Sequence, residues 1–92
     1  MKIAYIISYD IANERRLNRI HNYLKGQGVH LQKSVFYCLL SRERLKKIQD
    51  DLQQKINNSV DDIRIYPLVA NFKPIILGQG DRVPEGVWVY LD

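Results

Sequence analysis

A single cysteine, two histidines and no apolar run long enough to cross a membrane set the first limits on this 92-residue chain. The lone Cys38 has no partner for an internal disulfide. Within the apolar run SVFYCLL it reads as a buried, reduced, inert thiol. His21 and His30 lack zinc-like spacing, and with one cysteine they do not make a zinc site. Lys, Arg, Asp or Asn interrupts every hydrophobic stretch, so no membrane span is expected. The opening MKIAYIISYD is too short, and too soon followed by charge, for a signal peptide, which makes a cytoplasmic location the expectation. The turn GQGD is not followed by Gly-Lys-Ser/Thr or a helix, which excludes a phosphate loop. No nucleophile–base constellation stands out.

What is present is an ordinary globular composition, 46% hydrophobic and 26% charged, enough for one small domain and no second core. A core this small is commonly enlarged by self-association. The charge is lopsided: residues 1–47 hold ten Lys/Arg against three Asp/Glu, while residues 48–92 hold four against seven. A basic first half suits an anionic partner, nucleic acid being the commonest.

Lys2 to Tyr9 is rich in Ile and Tyr without helical period and reads as a central strand. Asp10 to Gly28 reads as a helix with Leu17, Ile20 and Leu24 on one face, capped by Asn13 or Asp10 and ended by Gly26 or Gly28. Val29 to Leu40 reads as one strand, with a bend or bulge near Gln32–Ser34. Ser41 to Asn58 forms a second helix with Ser41 at its N-cap and Leu45, Ile48, Leu52 and Ile56 as its buried stripe. Val60 to Val69 is a strand whose Pro67 belongs at a sheet edge. Residues 1–70 thus form an α+β core, a ferredoxin-like sandwich of one antiparallel sheet with both helices on one face. The bare face would pack against a twin subunit. Residues 71–92, with PIIL and VWVYL, read as two short C-terminal strands separated by turn chemistry, which could form an intramolecular edge hairpin.

Chemistry concentrates in YIISYDIANERR. Asp50, Asp51, Asp61, Asp62 and Asp81 lie in helix ends and turns and read as solvated surface. Asp10 differs, because a strand delivers it to the end of the sheet. It is either a helix cap or ion-pair partner, or a metal ligand. A two-fold axis near the strand ends would bring two Asp10 carboxylates together, and magnesium suits such a pair. Arg15 and Arg16 oppose the helix dipole, which points to a functional reason for them, such as drawing phosphate to the site.

SYDI, the arginine pair behind it, GVHLQKSVFYCLL and DDIRIYPL together resemble the small CRISPR-associated protein of the spacer-acquisition (adaptation) module, the partner of the CRISPR integrase. The resemblance runs from Met1 to about Leu68. It implies a ferredoxin-like homodimer in which Asp10 of each subunit matches the metal-binding aspartate, with Tyr9 before it as a second catalytic candidate, and C-terminal strands such as PIIL and VWVYL that cross to the partner subunit or dock the integrase. It implies nucleic-acid contacts at Arg15, Arg16 and Arg19 and at Ser34 and Phe36 of the Ser-Val-Phe motif. His30 stands where that family often has Arg, which would make a phosphate contact there pH-dependent. Tyr37 stands where an acid is common and is assigned no role. The activity implied is magnesium-dependent endonuclease action on single-stranded RNA or duplex DNA. The alternatives are a non-catalytic DNA scaffold for the integrase, a toxin-like ribonuclease of similar fold, and a plain ligand-binding dimer.

Overall fold

The computed structural model describes residues 1–68, and the C-terminal strands expected within 71–92 lie outside them. Six elements follow in order: β1 (Lys2–Asp10), α1 (Glu14–Lys25), β2 (Val29–Gln32), β3 (Val35–Ser41), α2 (Arg42–Lys55) and β4 (Asp62–Pro67). The sheet order is β2-β3-β1-β4, with every neighbouring pair antiparallel. This is the ferredoxin-like α+β arrangement expected from the sequence, with β1 central and Pro67 on the edge strand β4, where a missing N–H disrupts no ladder.

Alternation along the strands sorts side chains into two layers. Tyr5, Ile7 and Tyr9 of β1 and Phe36, Cys38 and Leu40 of β3 pack with Ile20 and Leu24 of α1 and Ile48 and Leu52 of α2. Ile20, Leu24 and Ile48 are wholly buried, each worth about 1.5–3 kcal/mol of apolar transfer. The opposite face carries Ile6, Leu31 and Val35, flanked by Tyr37 and Leu68. No described helix covers it, and the register places Val29, Leu39 and Tyr66 on the same face, all exposed.

The helix ends follow local chemistry. The Asn13 side chain accepts from the Arg16 N–H and caps α1, and Ser41 does the same for α2 through the Arg44 N–H. Between the helices, the Tyr23 hydroxyl donates to Asp51 at 2.6 Å, and Lys47 lies 3.1 Å from the same carboxylate. Asp51 is therefore a helix-to-helix tie rather than free surface. Its carboxyl is held below the usual range chiefly by the Tyr23 hydrogen bond, and the phenol is pushed up to about 12, mainly by burial.

The expected single strand over 29–40 is instead a hairpin. Lys33 and Ser34 turn the chain between β2 and β3, and Ser34 takes φ 61, the left-handed conformation usual for Gly or Asn. A register shift between His30 and Gln32 marks a bulge just before it. Gly28 enters this hairpin hard against β3. A Cβ there would stand 2.6 Å from Cys38 Sγ and closer still to the Tyr37 carbonyl oxygen.

Candidate active site at the end of the central strand

Tyr9 and Asp10 are consecutive residues of one strand and so point to opposite faces of the sheet. The end of β1 carries two separate polar clusters, one on each face.

On the open face, Asp10 is exposed, and its ladder partner is Asp62 at the start of β4. Two like charges directly opposite in a sheet are unfavourable. Arg64 Nε lies 2.9 Å from Asp62 Oδ2 and offsets one of them. Among the described residues nothing hydrogen-bonds or pairs with the Asp10 carboxylate. The two ordinary roles weighed for it, helix cap and ion pair, belong to other residues: Asn13 caps α1, and Asp61 takes the arginine.

Asp61 is the residue that sequence reasoning missed. Taken for solvated surface, its side chain has no exposed surface at all. It accepts from Arg16 Nε at 2.8 Å and Nη2 at 3.1 Å, from the Ala12 N–H at 2.9 Å and from the Asn57 N–H at 2.8 Å. Its carboxyl is held well below the usual carboxylate range, first by the Arg16 guanidinium and with help from both backbone donors. This bridge ties the loop after Asp10 to the loop before Asp62, and so holds the ends of β1 and β4 together. It also commits Arg16, whose side chain is only 25% exposed. Arg15 and Arg19 are exposed, lie one turn apart on α1, and have no carboxylate partner among the described residues. The hint in the sequence was the run Asn57–Asp61, where turn residues precede a strand and an acid can collect backbone N–H groups.

On the helix side, Tyr9 is buried, and its Oη lies 3.0 Å from His21 Nδ1. Burial pushes the phenol up, opposed by the Ser34 hydroxyl. The Ser34 carbonyl accepts from the Tyr9 N–H at 3.1 Å. His30 is exposed and lies against Phe36, ring centroids 4.9 Å apart, with the His21 ring edge-on at 4.9 Å. Phe36, expected to touch nucleic acid, is wholly buried. Its ring is the floor under Tyr9, His21 and His30 and presents no surface to a partner.

A magnesium ion needs hard oxygen donors, and Asp10 supplies them. Among the described residues no three His, Cys, Asp or Glu side chains gather as a metal site. One copy therefore supplies a partial donor set, and a second copy facing it would double the set.

The family model for "CRISPR associated protein Cas2" matches residues 2–72. The chain is 46% identical over 90 residues to the CRISPR-associated endoribonuclease Cas2 2 of Thermodesulfovibrio yellowstonii, spanning 98% of this chain and 99% of that one. It is 38% identical over 82 residues to the CRISPR-associated endoribonuclease Cas2 of Geobacter sulfurreducens, spanning 87% and 86%. Among solved structures, the hypothetical protein TT1823 from Thermus thermophilus superposes with a TM-score of 0.78 at 31% identity, over 85% of this chain and 93% of that one. Streptococcus pyogenes Cas2 superposes with a TM-score of 0.69 at 28% identity, over 75% and 89%. Matched over most of its length by the family model and along nearly all of it by a relative, the chain belongs to the CRISPR-associated Cas2 family.

Proposed function

We propose that the chain is a homodimeric, magnesium-dependent endonuclease of the CRISPR adaptation module, with Asp10 of each subunit at its centre and single-stranded RNA as its substrate. One observation carries it: an exposed carboxylate at the end of the central strand, on the apolar open face, that serves neither as cap nor as ion-pair partner to a described residue. The naming of its relatives as endoribonucleases supports the choice of RNA.

The open face supports the dimer. Ile6, Leu31 and Val35 with exposed Val29, Leu39 and Tyr66 form an apolar surface that a second copy covers by symmetry. Each Asp10 then approaches its twin, and two carboxylates in reach of each other recruit a cation. Magnesium, when bound there, supplies positive charge against the phosphodiester under attack. The chain's own residues do the rest. Arg15 and Arg19 draw phosphates along α1, and the Arg16–Asp61 bridge holds the loop behind Asp10 in place. Residues 71–92 are the segment we assign to docking the CRISPR integrase.

The second reading is a non-catalytic scaffold that holds duplex DNA for the integrase. It is favoured by the absence of a described histidine on the Asp10 face, since His21 and His30 sit on the other side of the sheet. Cleavage of labelled single-stranded RNA and duplex DNA by wild type and Asp10→Asn, with and without magnesium, decides between them. The variant is first verified as a folded dimer. Magnesium-dependent cutting lost only in Asp10→Asn establishes the enzyme. Binding without cutting by both proteins leaves the scaffold.

A further inference from the structure

The cluster on the helix side of β1 lies on the opposite face of the sheet from Asp10, and it has the composition of a binding site. A groove of ≈ 330 Å³ lies between α1 and the β2–β3 turn, lined by Asn18, His21, His30, Lys33 and Ser34 with Tyr9 below. Every polar side chain in this lining is neutral or cationic. Lys33 is exposed and makes no ion pair among the described residues. Four different elements contribute donors here: β1, α1, β2 and the turn at Ser34, whose φ of 61 holds it in a conformation serine seldom adopts.

We propose that this groove binds a terminal phosphate group, the phosphomonoester dianion at the end of a nucleic-acid strand or on a free nucleotide, and that His21, seated between Tyr9 and the His30 ring, makes its occupancy depend on pH. An internal phosphodiester carries one negative charge, whereas a terminal monoester carries close to two at neutral pH. An open groove with a lysine, two imidazoles, an amide and a hydroxyl suits the second. Buried Tyr9 keeps its proton and can donate to His21 Nδ1, which leaves the neutral ring's proton on Nε2 as a further donor. When His21 is protonated, the same contact reverses, with Nδ1–H donating to Tyr9 Oη, so the cluster keeps its geometry in both charge states.

The groups facing the pair explain the sign. Without a ligand, His21 is pushed below the usual range for histidine, first by burial, then by His30 and by Lys25 from its own helix. Tyr9 from β1 and Lys33 from the turn complete the surroundings, and neither is an acid that would offset a positive charge. A phosphate supplies that offset. Binding then draws a proton onto His21, and affinity rises as pH falls from 8 toward 6.5. Below about pH 6 the phosphate dianion itself takes up a proton and becomes a monoanion, and the advantage declines.

The site is independent of whether bonds are cut at Asp10, so its test uses binding without magnesium. The full chain is titrated with one short RNA in 5′-phosphate, 3′-phosphate and hydroxyl-ended forms, with a nucleoside 5′-monophosphate, and with inorganic phosphate. We expect at least one phosphorylated form to bind about tenfold tighter than the hydroxyl-ended RNA at pH 6.5. At pH 8 most of that preference disappears, and calorimetry in buffers of different ionisation enthalpy shows proton uptake. His30→Gln and Lys33→Ala, both at exposed positions, remain folded and lose the preference. Binding of the mononucleotide as tight as that of the phosphorylated strand assigns the site to free nucleotides; binding of the strand alone assigns it to strand ends. Equal affinity for all RNA forms at pH 6.5, or a preference that survives both substitutions, overturns the proposal, and neither result bears on cleavage at Asp10.

Discussion

Three arginines within one helix turn should behave in two different ways, and the Asp61 bridge decides which. Arg15 and Arg19 are exposed and have no carboxylate partner among the described residues, whereas Arg16 has Nε and Nη2 committed to a carboxylate with no exposed surface. The assay is nucleic-acid affinity across a salt series for Arg15→Ala, Arg16→Ala and Arg19→Ala. Each phosphate contact contributes a slope in log affinity against log salt of about −0.7 on single strands and about −0.9 on duplex. In a symmetric dimer each substitution removes two contacts, so Arg19→Ala should flatten the slope by about 1.4 on RNA and about 1.8 on duplex. Between 50 and 200 mM salt, a duplex complex would thus be spared roughly a 12-fold loss that the wild type suffers. Arg15→Ala should do the same. Arg16→Ala should leave the slope close to that of the wild type and lower the melting temperature instead, because it strands Asp61. A slope change for Arg16→Ala equal to that for Arg19→Ala would refute the division of roles. An unchanged slope for both Arg15→Ala and Arg19→Ala would remove the basic surface altogether.

Three further outcomes are expected. Gly28→Ala drives a methyl into the Tyr37 carbonyl and Cys38 Sγ, an overpacking cost of about 1–3 kcal/mol, and a thermal melt should fall by at least about 4 °C; an unchanged melt contradicts the close approach. Leu39→Asp places a charge on the open face at a position 52% exposed in the single chain, so the fold should persist while sedimentation reports a monomer and any cleavage disappears with the dimer; a dimeric Leu39→Asp would move the interface elsewhere. Asp61→Asn tests the bridge by pH. A carboxyl depressed in the folded state contributes stability in full above the unfolded value of about 4 and loses it as pH falls toward the folded value. The wild type should therefore melt well above Asp61→Asn at neutral pH, with the gap narrowing below about pH 4, and a gap independent of pH would deny the carboxylate its ionic role.

The core was legible because its signals are periodic. The stripe Leu17, Ile20, Leu24 and its counterpart Ile48, Leu52 needed only the helical repeat, and both pack as expected. The hairpin was not legible, because the turn uses Lys33 and Ser34 where Asn or Gly would have announced it. The acids failed for a related reason. Asp61 and Asp62 are neighbours of the same type, yet one is enclosed by Arg16 and two backbone N–H groups while the other faces solvent beside Arg64. Composition treats them alike, because the difference is made by a loop 49 residues earlier in the chain, whose Ala12 N–H donates to Asp61.

Tyr9 and Asp10 are a second pair of neighbours with different surroundings, here because successive residues of a strand face opposite sides of the sheet, and this bears on mechanism. The sequence motif sets the phenol and the carboxylate side by side, which invites a shared role in one reaction. In the sheet they lie on opposite faces, Tyr9 among the aromatic rings under α1 and Asp10 on the surface open to a second copy. A direct proton transfer between them through the sheet has no path among the described side chains. Tyr9 can still act on Asp10 through the backbone, because its N–H is held by the Ser34 carbonyl and its ring is wedged on Phe36. Tyr9→Phe keeps both contacts and removes only the hydroxyl that meets His21. If the two faces are chemically separate, that substitution should spare whatever happens at Asp10 and alter only the pH response of the His21–His30 groove.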